Sequence, residues 1–204
     1  MSILEEKGVF FSVGSITIEG LLSESSPDTG VVITHPHPLY GGSMHSSVVE
    51  ALVRAFQSLN LTTLRFNFRG TGRSTGRHDN GIGEQEDVKG AIDFLKGKGL
   101  GRIYLAGYSY GTWINTQVMK KEELMGGILV APPVDFFNFD FIPYKNRFAL
   151  IVCGDSDQYC ATDRLISLLG PIEKDVHLKV IKGCDHFFVG KEGELEALVK
   201  RFKL

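Results

Sequence analysis

Apolar positions along the chain fall into short runs whose period changes from two to about 3.6. Val9–Val13 and Ile16–Leu22 are β-type runs joined at Gly14-Ser15, which signals a hairpin. Val31–Thr34 is wholly apolar up to its last residue, the pattern of a strand buried on both faces of a parallel sheet. Leu61–Phe66, Ile103–Ala106, Gly127–Ala131, Phe148–Cys153 and Val176–Ile181 read as further strands. Helical spacing fills the gaps between them. Ser43–Leu59 aligns Val48, Leu52, Ala55, Phe56 and Leu59 on one face. Glu84–Leu95 carries Glu84, Glu86 and Asp87 at its positive end and Val88, Ala91, Ile92 and Leu95 on its inner face. Thr162–Leu169 is helical, and Glu194–Phe202 closes the pattern with Leu195, Leu198, Val199 and Phe202 inward. Ser23–Gly30, His35–Gly42 and Arg69–Gly83 are polar, turn-rich connections. After the hairpin, strands alternate with helices. That order predicts an α/β fold with a mostly parallel sheet covered on both sides. No repeat and no linker divides the chain, so residues 1–204 are expected to form a single domain.

Composition narrows the function classes. The net charge is −2 and no sustained basic run occurs, so nothing points to a nucleic-acid partner. No apolar run approaches a membrane span. The first residues, Met-Ser-Ile-Leu-Glu-Glu-Lys, are acidic where a signal peptide needs a basic and then an apolar stretch. Three cysteines, Cys153, Cys160 and Cys184, make an odd count without a secretory signal. Reduced thiols and a cytoplasmic location are the expectation.

The chemistry centres on residues 102–113. An apolar strand runs into Gly107-Tyr108-Ser109-Tyr110-Gly111, and a helix-compatible stretch follows. G-x-S-x-G between a strand and a helix places a serine on a strained turn, with Oγ exposed above the sheet. Side chains at the two glycine positions would collide with the neighbouring strand and helix. The Tyr110 N–H, at a helix N-terminus, is aimed where an oxyanion would form. The alternative is a glycine-rich turn that contains a serine by chance, in a chain with 24 glycines.

Serine near neutral pH needs a base, and the base needs an orienting acid. Both would come from loops at the C-terminal ends of strands, the edge that carries Ser109. Gly154-Asp155-Ser156-Asp157 leaves the end of one strand, with two carboxylates competing for one role. Gly183-Cys184-Asp185-His186 leaves the end of the last strand. The order Ser…Asp…His from three loops at one sheet edge predicts a triad of Ser109, His186 and an aspartate.

Together, Gly107-Tyr-Ser-Tyr-Gly111, Gly154-x-x-Asp157 and Gly183-x-x-His186 resemble the α/β-hydrolase superfamily. Asn67-Phe-Arg-Gly-Thr-Gly-Arg-Ser74 is similar to that superfamily's Asn/Asp-x-Arg-Gly-x-Gly-x-Ser loop. His35-Pro-His-Pro-Leu-Tyr-Gly-Gly42 resembles a small, lidless group of predicted serine hydrolases within it. The resemblance implies an α/β-hydrolase fold without a cap domain, since Pro132–Arg147 is too short for one. It selects Asp157 over Asp155 as the triad acid. It places the second oxyanion donor in the His35–Gly42 loop. Pro36 and Pro38 have no N–H, which leaves His37 and Leu39. His35 is expected to be structural, beneath the site.

These readings predict a serine hydrolase, carboxylesterase-like, cleaving a small acyl ester or thioester through an acyl-enzyme and needing no cofactor. Tyr108, Phe136 and Phe187 are candidate substrate contacts. The aromatic span Phe136, Phe137, Phe139, Phe141 and Tyr144 reads equally as packing or as an acyl wall. Alternatives are a thioesterase, acyltransferase or peptidase on the same triad, and a non-catalytic binding scaffold. His35 and His37 in an extended segment suggest a metal site, but the spacing lacks a following Asp-His pair. Gly70-x-Gly72-x-x-x-Gly76 has one residue too many for a dinucleotide fingerprint. Arg69, Arg73 and Arg77 could attract an acidic substrate or pair with Glu86 or Asp87. The pattern sets no oligomeric state, although the hairpin offers an edge strand.

Overall fold

The computed structural model describes residues 5–145 and 147–202. Residues 1–4, on which the reading of the first segment partly rests, lie outside them. β1 (Lys7–Val13) and β2 (Ile16–Ser23) form the antiparallel hairpin, turning at Gly14 with φ 58° and pairing Val13 with Ile16. β3 (Thr29–Thr34), β4 (Thr62–Phe66), β5 (Arg102–Tyr108), β6 (Gly126–Val130), β7 (Phe148–Gly154) and β8 (Val176–Ile181) follow. All eight join one sheet in the order β1-β2-β4-β3-β5-β6-β7-β8. β2 meets β4 antiparallel, and every pairing from β4 to β8 is parallel.

Five α-helices cover the sheet among the described residues: α1 (Ser47–Ser58), α2 (Ile82–Gly97), α3 (Tyr110–Met119), α4 (Thr162–Leu169) and α5 (Glu192–Arg201). Successive strand residues point to opposite faces, and the core divides accordingly. Val31, Ile33, Ala106, Ile128, Val130 and Val152 pack against Leu52 and Phe56 of α1 and Leu195 and Val199 of α5. Val32, Leu64, Leu105, Leu129 and Ile151 pack on the other face with Ile92 of α2, Ile114 of α3 and Leu165 of α4. Each fully buried Leu, Ile or Phe contributes about 1.5–3 kcal/mol, so the two shared faces dominate the stability. The aliphatic runs were legible as strands because both faces are covered.

Helix α1 starts at Ser47, four residues later than the apolar pattern suggests. Residues 43–46 form a turn instead. Ser46 Oγ donates to Ser43 O, and the Met44 N–H donates to Asn67 Oδ1 at 2.9 Å. His45 therefore sits on an exposed turn and not on an early helical surface. Asn67 Nδ2 donates to Glu19, and Ser74 Oγ donates to Asn67 O. The Asn67–Ser74 segment thus clamps the hairpin, the α1 entry and the end of β4 together.

The segment between β6 and β7 holds a single 3-10 turn, Ile142–Tyr144, and no cap domain among its described residues. Phe139, Phe141 and Tyr144 are buried in the core. No helix among the described residues is long and apolar enough to cross a membrane.

Candidate active site

Ser109 stands between β5 and α3 with φ 53° and ψ −120°. A serine in this left-handed region stores strain of about 1–3 kcal/mol, which surrounding contacts must hold. The Ser109 N–H donates to Val130 O, and its carbonyl accepts from Thr112 N–H, both at 2.9 Å. A Cβ on Gly107 would lie 2.8 Å from Thr34 Oγ1, and one on Gly111 would lie 2.5 Å from the same atom. Glycine at both positions lets the turn close against the end of β3.

The three groups expected from separate loops meet. His186 Nε2 lies 2.9 Å from Ser109 Oγ. His186 Nδ1 lies 2.9 Å from both Asp157 oxygens. A carboxylate only accepts, so Nδ1 carries the proton and Nε2 is the acceptor for the serine hydroxyl. Asp157 is fixed in turn: its Oδ1 accepts from the N–H of Tyr159 at 2.8 Å and of Cys160 at 3.1 Å. Ser109, His186 and Asp157 keep 9%, 6% and 8% of their surfaces exposed. Asp155, the competing carboxylate, instead accepts from Gly183 N–H at 2.8 Å and ties the acid loop to the histidine loop.

Tyr110 opens α3, so its N–H is one of the helix-terminal donors that the helix leaves unpaired. Of the two candidates in the β3 loop, Leu39 has its N–H directed to His37 Nδ1 at 3.3 Å. The His37 N–H makes no hydrogen bond among the described residues. Of the two, His37 is thus the one whose N–H is unpaired among the described residues. The Gly111 Cβ position, 2.9 Å from His35 O, shows how closely this loop approaches the start of α3.

His35 is fully buried. Its Nε2 accepts from Phe68 N–H at 3.0 Å, and its Nδ1 donates to Pro36 O at 2.6 Å. Both nitrogens are engaged, which removes His35 as a metal ligand. Burial pushes its pKa down to about 4. Its place under the β3 loop is the structural one expected. Burial also lowers the pKa of His37.

The candidate substrate contacts separate. Tyr108 is 5% exposed, and its hydroxyl donates to the His186 carbonyl at 3.0 Å, so it supports the histidine loop from below. Burial raises its pKa and keeps that donor protonated. Phe136 and Phe187 are 65% and 52% exposed. Phe137 stacks on Trp113 at 4.7 Å. The aromatic span therefore divides, with Phe136 outward and Phe139, Phe141 and Tyr144 inward. Arg69 pairs with the fully buried side chain of Asp87 at 2.7 Å, and Arg73 lies over the Phe10 ring at 4.8 Å.

Sequence reasoning missed two groups. Tyr159 lies with its ring 4.6 Å from that of His186. Its position two residues after Asp157, with its N–H on that carboxylate, was the available signal. His78 sits 4.9 Å from His37, and its Nδ1 is 2.9 Å from Glu84 Oε1. That contact is close but unaligned for a hydrogen bond. The Glu84 oxygens already accept from Asp79 and Gly81 N–H. Nothing in the local sequence joins these residues.

A protein-family profile described as the alpha/beta hydrolase family matches residues 31–151. That span runs from β3 into β7 and includes Ser109, but ends before Asp157 and His186. An alpha-beta serine hydrolase homologue from Coxiella burnetii is 34% identical, with a TM-score of 0.88 over 98% of this chain and 99% of its own. A serine hydrolase without a lid from Xanthomonas campestris is 26% identical, with a TM-score of 0.88 over 97% of this chain and 93% of its own. An uncharacterized protein of Rickettsia prowazekii is 31% identical over 95% of this chain and 87% of its own length.

Proposed function

The chain belongs to the alpha/beta hydrolase family, and from that premise we propose that it is a serine esterase acting through Ser109, His186 and Asp157. The observation that carries the reading is the continuous relay of 2.9 Å contacts from Ser109 Oγ through His186 to Asp157. His186 Nε2 takes the serine proton as Oγ attacks an acyl carbon. Asp157 holds the tautomer and stabilises the imidazolium that forms. The N–H groups of Tyr110 and His37 stabilise the tetrahedral oxyanion. His186 then returns the proton to the departing oxygen, leaving an acyl-serine. Water, activated by the same imidazole, releases the acid and restores Ser109.

No cap covers the serine among the described residues, and this favours a small acyl ester or thioester as substrate. The strained elbow favours catalysis over a binding scaffold, because a surface kept only for binding has no need of a left-handed serine beside an aligned imidazole. The test is hydrolysis of short-chain acyl esters by wild type, Ser109→Ala and His186→Ala. Loss of roughly 10^3-fold or more in kcat for both variants is expected. Undiminished turnover in a folded Ser109→Ala would overturn the reading.

A further inference from the structure

Three exposed or half-buried rings gather beside His186. Tyr159 is their hub: its ring lies 4.6 Å from His186, 5.2 Å from Phe136 and 6.5 Å from Phe187. Phe187 itself meets His186 edge-on at 5.7 Å. Tyr159 is anchored by its backbone, donating to Asp157 Oδ1 at 2.8 Å and accepting from Asp135 N–H at 3.3 Å. Loops after three strands supply the group: Phe136 after β6, Tyr159 after β7 and Phe187 after β8.

Strand order gives this cluster a direction. β3, with the His37 loop, flanks β5 on one side, while β6, β7 and β8 extend on the other. A tetrahedral intermediate on Ser109 points its oxyanion toward the donors of α3 and the β3 loop. The oxygen of the departing alcohol must instead lie within hydrogen-bond reach of His186 Nε2 to receive its proton. The substituent on that oxygen then continues past His186, over Tyr159, Phe136 and Phe187.

We infer that these three rings form the leaving-group subsite, and that the preferred substrates are esters of apolar, ring-bearing alcohols. The inference rests on the serine-hydrolase reading above and deepens it. An aromatic or alicyclic alcohol offers a flat apolar face to the rings, and offset or edge-on ring contacts add about 0.5–1.5 kcal/mol beyond area burial. A short alkyl alcohol reaches His186 but covers little of the cluster. The acyl group leaves the reacting carbon in another direction, so its length is read elsewhere.

The test compares kcat/KM along two series, on wild type, Tyr159→Ala, Tyr159→Phe and Phe136→Ala. In one series the acyl group is held as acetate and the alcohol runs from ethyl to benzyl. In the other the alcohol is held as ethyl and the acyl group runs from acetate to hexanoate. The expected result is a benzyl-over-ethyl preference in wild type that falls about tenfold in Tyr159→Ala and about threefold in Phe136→Ala. Tyr159→Phe should retain it, and the acyl-length preference should not move. Phe136 is mostly exposed, so that variant reads the effect even where Tyr159→Ala fails to fold. A change in acyl preference with an unchanged alcohol preference overturns the inference. Labelling of Ser109 by a fluorophosphonate separates the two failures. A wild type that labels but shows no alcohol preference loses the subsite alone, whereas one that does not label loses the serine-hydrolase reading and the subsite with it.

Discussion

At the scale of single residues, the site depends on side chains whose partners fix both position and protonation. Asp157 receives two backbone N–H groups as well as His186 Nδ1. Asp157→Asn would present an amide to Nδ1 and favour the wrong imidazole tautomer. A fall in kcat of roughly 10^4-fold is expected, checked by steady-state hydrolysis with the fold monitored by circular dichroism. Gly111 is constrained by contact and not by φ. An alanine Cβ there would sit 2.5 Å from Thr34 Oγ1 and 2.9 Å from His35 O. Gly111→Ala should displace the start of α3, cost about 1–3 kcal/mol and reduce turnover through a misplaced Tyr110 N–H. Thermal melts and kcat, taken together, check both effects. The meeting of Ser109, His186 and an aspartate was legible at this scale because a serine, a histidine and a carboxylate each follow a strand that ends at the same sheet edge. Choosing Asp157 over Asp155 rested on family resemblance, and the structure adds the reason: Asp155 is occupied in binding Gly183. Tyr159 offered only its place two residues after Asp157; His78 was not legible, because loop packing, not spacing along the chain, brings it to His37.

At the scale of elements, the loops around the site are held by buried polar contacts. His35 joins the β3 loop to the end of β4 through Phe68 N–H. Burial holds its pKa at about 4, against 6.5 for a solvated histidine. The folded state therefore binds fewer protons than the unfolded state between these limits. The stabilising contribution is fully present above pH 6.5 and is lost progressively as pH falls toward 4. The total is roughly 3 kcal/mol from the size of that shift. Denaturant titrations across this range should show the slope, and His35→Gln should flatten it. Arg69 and Asp87 join the segment after β4 to α2 in the same manner. Burial pushes the Asp87 carboxyl up while the Arg69 guanidinium pulls it down. Arg69→Ala would keep the backbone N–H on Asp87 but remove the guanidinium that offsets the buried carboxylate, at a cost of about 3–5 kcal/mol, read as a lowered midpoint of unfolding. Strands and helices were legible because their apolar periods match their burial. The late start of α1 was not, since Met44 gives its N–H to Asn67, a residue far along the chain.

At the scale of the whole molecule, one sheet carries two cores. Val31 and Val32, adjacent in sequence, belong to opposite faces. Neither face can lose its helices without exposing strands that the other face also uses, so the chain is expected to melt as one unit. Phe56→Ala, on the α1 side, and Ile92→Ala, on the α2 side, should each lower a single shared transition by about 2–5 kcal/mol. Separate transitions in calorimetry would contradict one cooperative domain. The same architecture creates the site: parallel strands bring the ends of β3, β5, β7 and β8 to one edge, where Ser109, His186, Asp157 and the His37 loop meet. Whether this assembly activates Ser109 is read by intact-mass analysis after exposure to a fluorophosphonate, on wild type and Ser109→Ala. One adduct on wild type and none on the variant is the expected result. An unlabelled, folded wild type, or a variant that labels equally, would contradict it.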